Sequence, residues 1–319
     1  MAQLMLLDTP TLYFRAFFAL PDSMTAPDGR PVNAVRGTLD FITHLVTHHR
    51  PDRLIACFDA DWRPAFRVAL LPSYKAHRVV EEVPAPAPAE KGSASASVEE
   101  VPDILTPQVQ MLLEVLAAFG IADGWAPGFE ADDAIAAYAA LHRAEDGGPV
   151  DVVTGDRDMF QLISDADRVR VFNIARGVAK LEILGDAELG AKYGVTGSQY
   201  ADFATLRGDP SDGLPGVAGV GEKTAAALLA EYGSLDGLLA AAADPASAVK
   251  PAVRKRLEAA EAYLKVAPDV VRVRADAGVA KADSALPSVP AHPERLEELA
   301  ERYGIASPVK RLTKALASG

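Results

Sequence analysis

The sequence predicts an α/β fold with a central, mostly parallel sheet flanked by helices. Three short apolar runs each end in acidic residues: 4–8, 52–61 and 150–158. Three helical patterns lie between or beside them: roughly 32–49, 106–119 and 130–144. Strands that alternate with helices favour a parallel sheet. The run 168–184 predicts two further strands joined by a turn at Arg176–Gly177, so the predicted core covers 1–184.

The remainder, 185–319, predicts a mostly helical region that ends in C-terminal helices, one of them at 294–303. Frequent glycines punctuate this region, and those at about 208–232 predict a hairpin between two helices. Residues 79–103 are rich in Pro, Ala, Ser and Glu and keep no apolar period. This composition predicts a mobile, partly polyproline-like segment.

Composition narrows the compartment and the site chemistry. The single Cys57 lies in the apolar run "LIACF", which predicts a buried structural thiol and a reducing, cytoplasmic compartment. No uninterrupted apolar run of about 18 residues occurs, so we expect no membrane span, and the N-terminus lacks the pattern of a secretory signal. One Cys and six scattered His argue against a thiolate zinc site.

Nine carboxylates stand at predicted strand ends, helix starts or tight turns. They are Asp8, Asp59, Glu130, Asp132, Asp133, Asp156, Asp158, Asp209 and Asp212. Sites in parallel sheets form at the carboxyl ends of strands, so we expect these acids to converge. Oxygen ligands without His or Cys suit Mg²⁺ or Mn²⁺, and this many carboxylates can hold two ions for phosphoryl transfer. Solvated caps and turns are the alternative for any single acid.

The net charge of −12 at first disfavours a polyanionic partner. Setting aside the nine acids leaves 35 acidic against 32 basic residues, so a basic face remains compatible with the sequence.

A glycine-rich loop, "GVAGVGEKT", follows the last two acids. Gly216, Gly219 and Gly221 are spaced for a tight hairpin whose N–H groups can face a backbone phosphate, and Lys223 and Thr224 can add contacts. Such contacts carry no base information, so binding would be independent of sequence. A helix–turn–helix packing device is the alternative. Nucleotide binding is weaker because no Walker or GxGxxG motif is present.

The stretch 62–78 combines basic and aromatic residues, a composition that suits a nucleic-acid strand. Arg67 and Tyr74 are its candidate DNA contacts. Because the stretch follows Asp59 and precedes the segment 79–103, we expect it to form a lid over the carboxylates. An amphipathic helix with a solvated basic face and core aromatics is the alternative.

These motifs together resemble the bacterial 5′-nuclease family, which comprises flap endonucleases and the 5′-exonuclease domain of DNA polymerase I. The resemblance covers about 4–265 and is most specific in "FDAD", "LLPSYKAHR", "GFEADD", "TGDRDMFQL" and "GDPSDGLPGVAGVGEKTA". It implies a PIN-like fold with a helical arch over about 62–105 and a helix–hairpin–helix. The segment 79–103 departs from the family's pattern, because relatives have a shorter and more basic arch.

The resemblance also implies roles for individual residues. One metal ion would lie near Asp8, Asp59, Glu130, Asp132 and Asp133, and a second near Asp156, Asp158, Asp209 and Asp212. Asp132 or Asp133 would serve both ions, and Lys75 and Arg78 at the base of the arch would contact the scissile phosphate. The helix–hairpin–helix of relatives often binds K⁺.

We therefore expect a stand-alone, structure-specific 5′-nuclease that removes flaps or primers in replication and repair. Its expected partners are 5′-flap, gapped or nicked DNA and RNA–DNA hybrids, and the expected state is a monomer. The alternatives from other classes are a catalytically weak or silent DNA-binding module, a PIN-type ribonuclease, and a phosphatase.

Overall fold

The structure is a computed structural model that describes residues 1–82, 97–99, 102, 104–145 and 147–318. Eight strands occur in this part of the chain. They are β1 Leu4–Asp8, β2 Arg53–Cys57, β3 Val79–Glu82, β4 Ser97–Glu99, β5 Ala122–Gly124, β6 Val150–Thr154, β7 Val169–Asn173 and β8 Glu182–Leu184.

Six of these strands form one sheet in the order β5-β2-β1-β6-β7-β8. The strands β5, β2, β1, β6 and β7 run parallel to one another, and β8 pairs antiparallel with β7. The predicted mostly parallel sheet is thus confirmed. The short edge strand β5 was not predicted, because a run of three residues gives no readable period.

Helices surround the sheet and form most of the second half of the described chain. They are α1 Thr9–Ala19, α2 Asn33–His49, α3 Ala65–Leu70, α4 Thr106–Phe119, α5 Ala131–Glu145, α6 Asp186–Tyr193, α7 Gly197–Arg207, α8 Glu222–Tyr232, α9 Leu235–Ala243, α10 Pro251–Ala259, α11 Glu261–Leu264, α12 Ala267–Val271, α13 Pro293–Arg302 and α14 Ala306–Leu316. Helix α1 was not predicted. It begins directly after β1, because Asp8 accepts a hydrogen bond from the Thr11 N–H (3.1 Å) and Pro10 occupies the first turn.

The sheet separates two hydrophobic clusters. In β1, Leu4 and Leu6 pack into one cluster with α5 and the helices α7–α9, whereas Met5 and Leu7 pack into the other with α2 and α4. This alternation follows the two-residue period of a strand that is buried on both faces. Helices α13 and α14 also belong to the second cluster, so the end of the described chain packs against the α/β core.

The arch is described only in part. Its described residues form the short helix α3, a 3₁₀ turn at Ala76–Arg78 and the antiparallel pair β3–β4. The ends of the segment predicted to be mobile are therefore paired strands, which corrects that prediction for Val79–Glu82 and Ser97–Glu99. Residues 83–96, 100–101 and 103 lie outside the described residues, and so does the remainder of the predicted helical arch.

Two predictions from composition can be compared with the structure. Cys57 is fully buried, so the prediction of a buried structural thiol is confirmed, and burial raises the pKa of this thiol well above the usual range. Within the described residues no single helix has the length and hydropathy of a membrane span. Only α8 and α9, bent by 77°, pass that test when joined.

Candidate active site

A cavity of about 330 Å³ opens at the carboxyl edge of the sheet. The ends of β1, β2 and β6 and the start of α5 bring five of the nine predicted acids to its wall: Asp8, Asp59, Glu130, Asp132 and Asp156. Lys75 and Arg78 line the same cavity. The convergence expected from parallel strand ends is therefore present.

Hydrogen bonds fix the two carboxylates that end β1 and follow β2. Asp8 accepts from the hydroxyls of Thr11 and Thr154, each at 2.5 Å. Asp59 accepts from the N–H of Ala131 at 2.8 Å and so satisfies a free donor in the first turn of α5. The strand ends and the helix start are thus tied together around the cavity.

Crowding of carboxylates dominates the electrostatics of the cavity. Desolvation, followed by the nearby Glu130 carboxylate, raises the pKa of Asp59 to about 7. Desolvation and the charges of Asp156 and Asp8 raise the pKa of Asp132 well above its usual range. Lys75 offsets this negative charge only in part, and a bound cation would relieve the remainder.

The second predicted group lies beside the first. Desolvation and the charges of Asp156, Asp212 and Asp209 raise the pKa of Asp158 well above its usual range. Asp209 accepts from Arg207 at 3.0 Å, and Asp212 pairs with Arg78 at 3.1 Å. The four acids are therefore electrostatic neighbours, as predicted.

The acids are not arranged around a point in the manner of a preformed ion site. Among the described residues, no three His, Cys, Asp or Glu side chains are grouped closely enough to hold a metal ion. Protein cations and donors engage several of them: Glu130 accepts from Lys75 and from the Tyr74 hydroxyl. The donor set nevertheless fits a hard divalent cation, because its oxygens are anionic, crowded and partly desolvated.

Asp133 corrects the predicted ligand set. Its side chain is fully buried, and both of its oxygens bind Arg67 at 2.7 Å. It also accepts from the N–H of Arg274 at 2.8 Å and from the N–H of Glu130 at 3.2 Å. Neither Asp133 nor Arg67 lines the cavity. The adjacent Asp132 faces the cavity because successive helix residues point about 100° apart. The predicted metal-binding and catalytic role of Asp133 was therefore wrong.

Arg67 and Tyr74 correct the predicted DNA contacts. Arg67 is 3% exposed, and its Nε donates to the Val270 carbonyl at 2.9 Å, so its guanidinium is used inside the protein. Tyr74 is buried, and its hydroxyl donates to Glu130 at 2.7 Å. Arg63 is buried as well and donates to the Tyr74 carbonyl at 2.7 Å. Tyr74 and these two arginines are therefore used inside the protein and do not form a DNA-facing surface.

The base of the arch docks onto the loop that carries Asp212. The N–H of Lys75 donates to the Asp212 carbonyl at 3.0 Å, and Arg78 donates to the Ser211 carbonyl at 2.8 Å. Gly213 makes this approach possible: its φ is +72°, and an added Cβ would lie 2.0 Å from the Ser73 carbonyl oxygen. The sequence shows a glycine here but gives no sign of the partner that requires it.

The glycine loop has the predicted hairpin form. Gly216 and Gly219 have φ of +67° and +76°, and Gly221 caps α8 with open space where a Cβ would stand. Lys223 is exposed, and Thr224 lies beside it in the first turn. Gly219 and Gly221 are exposed as well, so an anion can approach this side of the loop, and its binding of a phosphate stays a prediction.

Two consecutive parts of the sequence match two domains of one family. Residues 3–194 match the N-terminal resolvase-like domain of the 5′-3′ exonucleases, and residues 195–294 match their C-terminal SAM fold. The chain belongs to the 5′-3′ exonuclease family. The two matched domains meet ten residues beyond the predicted boundary at 184/185.

Two curated relatives of this 5′-3′ exonuclease family member align with nearly the whole chain, and a third aligns with three quarters of it. A 5′-3′ exonuclease of Streptomyces coelicolor is 56% identical over 98% of this chain and 99% of its own length. One from Mycobacterium tuberculosis is 52% identical over 98% and 97%. DNA polymerase I of Mycobacterium bovis is 44% identical over 74% of this chain and 24% of its own length. The predicted resemblance to the bacterial 5′-nuclease family is confirmed.

Solved structures support the fold. A bacteriophage T5 flap endonuclease, described as a pseudo-enzyme–product complex with DNA and metal ions, aligns with a TM-score of 0.61 at 18% identity, over 99% of this chain and 98% of its own. The catalytic core of Rad2 in complex with DNA substrate aligns with a TM-score of 0.58 at 17% identity, over 99% and 92%. The predicted PIN-like α/β fold with a helical second part is confirmed.

Several residues at the site were missed by sequence reasoning. Phe14 and Arg15 of α1 line the cavity, and Arg15 donates to the Ala175 carbonyl at 2.8 Å. Arg256 of α10 donates to the Gly219 carbonyl at 2.9 Å and so braces the glycine loop. The run "YFRAFF" directly after Asp8 was the available signal for α1. Arg256 had no local signal, because 37 residues separate it from the loop.

Proposed function

We propose that this 5′-3′ exonuclease family member is a structure-specific, metal-dependent nuclease that hydrolyses DNA phosphodiesters near single-strand/duplex junctions. The observation that carries the proposal is one cavity in which crowded carboxylates face Lys75 and Arg78. Phosphodiester cleavage needs cations at the phosphate, and this wall offers both ligands for cations and two cationic side chains.

The acids divide into two candidate ligand sets for Mg²⁺ or Mn²⁺. The first comprises Asp8, Asp59, Glu130 and Asp132, and the second comprises Asp156, Asp158, Asp209 and Asp212. When bound, a pair of such ions supplies an acidified water and neutralises charge on the phosphate. The identity and number of the ions belong to this proposal.

The basic side chains of Lys75 and Arg78 have a defined part in the mechanism. In the structure Lys75 pairs with Glu130, and Arg78 pairs with Asp212 at 3.1 Å. With divalent cations on these carboxylates, Lys75 and Arg78 would exchange these partners for the phosphate and would stabilise the charge that develops in the transition state. Tyr74 keeps the Glu130 carboxylate oriented during this exchange.

The glycine loop supplies the grip on the duplex. Its N–H groups, Lys223 and Thr224 bind a backbone phosphate without reading bases. K⁺ at this hairpin is part of the proposal, with Arg256 already holding one loop carbonyl. The proposed substrates are 5′-flap, gapped or nicked DNA and RNA–DNA hybrids, cut by a cytoplasmic monomer during primer or flap removal.

The test is cleavage of a 5′-flap duplex in Mg²⁺ or Mn²⁺ by the full chain and by Asp132→Asn and Asp156→Asn. Each substitution is expected to lower the single-turnover rate by at least about 100-fold, as loss of a major electrostatic group does. Asp269→Asn, an exposed carboxylate on α12, is the matched control and should cleave normally. Full activity in Asp132→Asn or Asp156→Asn would contradict the assignment.

Two substrate arms separate the alternatives. Binding of the flap duplex without cleavage in millimolar Mn²⁺ would favour a silent DNA-binding module. Faster cleavage of single-stranded RNA than of the flap duplex would favour a PIN-type ribonuclease.

A further inference from the structure

Four charged side chains alternate in a ring between the acidic cavity and the start of α8. Arg207 contacts Asp209 at 3.0 Å and Glu222 at 3.3 Å. Arg157 completes the ring at longer range, 3.9 Å from Asp209 and 3.8 Å from Glu222. The ring therefore joins a candidate metal ligand to the first residue of the helix that follows the glycine loop.

The two arginines of the ring differ in how they are held. Arg207 is 10% exposed, and its Nε also donates to the Gly208 carbonyl at 2.9 Å, so its guanidinium is fixed by short hydrogen bonds. Arg157 is 46% exposed, and within the described residues its guanidinium makes no hydrogen bond shorter than its two long ion pairs. Its donors are therefore available to a ligand from solvent.

Arg157 also occupies an intermediate position along the expected path of a DNA strand. It lies in the turn between Asp156, which lines the cavity, and Asp158. Its guanidinium reaches toward Glu222 at the N-terminus of α8, where the glycine loop ends. A DNA strand that contacts both the cavity and the loop would pass beside Arg157.

We propose that Arg157 binds a DNA backbone phosphate between the scissile phosphate and the phosphate held by the glycine loop, and that Glu222 competes for it when DNA is absent. A guanidinium binds phosphate through two parallel hydrogen bonds, which its present partners at 3.8–3.9 Å do not provide. Glu222 is 54% exposed, so it can release Arg157 to solvent or to DNA without burying an unpaired charge. This inference rests on the proposed function, because it assumes that the substrate is DNA.

The test measures equilibrium binding of a labelled 5′-flap duplex by fluorescence anisotropy in EDTA, over about 50 to 200 mM salt. Arg157→Gln should weaken binding and reduce the slope of log K against log salt by about 0.9, the value for one phosphate contact. Arg157→Lys should keep the slope, because it keeps the charge, but bind more weakly than the parent because the two-pronged geometry is lost. Glu222→Gln should tighten binding.

Arg295→Gln is the matched control. Arg295 is 48% exposed and also lies between two carboxylates, Glu114 and Glu298, but it is on α13 and lines neither the cavity nor the glycine loop. Its substitution should leave affinity and slope unchanged. If affinity and slope depended only on the total positive charge of the protein, Arg157→Gln and Arg295→Gln would lower both by the same amount.

The competition is tested by the double variant. If Glu222 acts by holding Arg157, then Glu222→Gln should give no gain in affinity in the Arg157→Gln background. An equal gain in both backgrounds would overturn the competition, and an unchanged salt slope in folded Arg157→Gln would overturn the phosphate contact. Both readouts are independent of cleavage, so a parent chain that binds but does not cut would contradict the proposed function alone.

Discussion

Replacing either of two adjacent carboxylates, Asp132 and Asp133, by asparagine should change the stability of the metal-free protein in opposite directions. Asp133 is fully buried and holds Arg67 through two contacts of 2.7 Å. Asp132 faces the cavity, where desolvation and the charges of its neighbours raise its pKa well above the usual range. We expect Asp133→Asn to destabilise the metal-free protein and Asp132→Asn to stabilise it at neutral pH.

The magnitude for Asp133 follows from the charge that is left behind. Removing one partner of a buried ion pair costs about 3–5 kcal/mol, because the other charge stays buried without compensation. Arg67 keeps its bond to the Val270 carbonyl and an ion pair to Glu130 at 3.4 Å, so the lower end of this range applies. At about 2 °C per kcal/mol for a chain of this size, Tm should fall by about 6 °C.

The assay is thermal unfolding of both variants in EDTA at pH 7, with urea unfolding for the free energy. Asp202→Asn is a suitable control, because Asp202 is also buried but its partner Arg272 is half-exposed and can turn to solvent. Its loss should be smaller, about 1 kcal/mol. An unchanged Tm for Asp133→Asn together with lost Mn²⁺ binding would refute this reasoning and restore Asp133 as a ligand.

Three further outcomes are expected. In EDTA, the stability of the protein should fall as pH rises between about 4 and 7, because carboxylates with raised pKa values, such as Asp59 at about 7, bind protons more tightly in the folded state. Mg²⁺ should reduce this fall in thermal scans. A Tm that rises over this pH interval in EDTA would contradict this prediction. Gly213→Ala should destabilise the protein more than Gly29→Ala, because both have positive φ but only Gly213 has a backbone carbonyl 2.0 Å from the added Cβ; equal losses in urea unfolding would contradict the docking of the arch. Tyr74→Phe removes the hydrogen bond to Glu130 and should weaken Mn²⁺ binding by about 10-fold in calorimetric titration, whereas unchanged affinity would show that the hydroxyl does not orient this carboxylate.

The sequence was most informative where local pattern and topology agree. Apolar runs that end in acids predicted both the parallel strands and the edge at which Asp8, Asp59 and Asp156 meet. Period, strand end and charge are all visible in a few neighbouring residues, and the rule that parallel strand ends share an edge then fixes the site. No long-range contact has to be known for this step.

The sequence was least informative where a side chain chooses between partners that are distant in the chain. Asp132 and Asp133 are identical in type and adjacent, and Arg67 has the features of a DNA-facing arginine in a basic, aromatic stretch. The pairing of Arg67 with Asp133 joins residues 66 positions apart, and only the packing of α3 beside α5 and α12 brings them together. Local pattern cannot distinguish a buried ion pair from a solvated one.

The stretch "GDPSDGLPGVAGVGEKT" places phosphate-repelling acids beside a loop that suits phosphate, and the structure shows how the two are kept apart. Asp209 and Leu214 exchange two backbone hydrogen bonds of 2.9 and 2.8 Å, which close the acidic turn upon itself and against the arch base. The N–H of Val217 then donates to the Leu206 carbonyl at 2.9 Å, which fixes the start of the glycine loop on α7. The acids and the glycine loop are thus held by two separate hydrogen-bonded turns a few residues apart. Arg157 and Arg207 lie between them, paired with Asp209 and Glu222 respectively. Because hydrogen bonds fix both turns, the distance between the gripped and the cleaved phosphate follows from this segment under the proposed function.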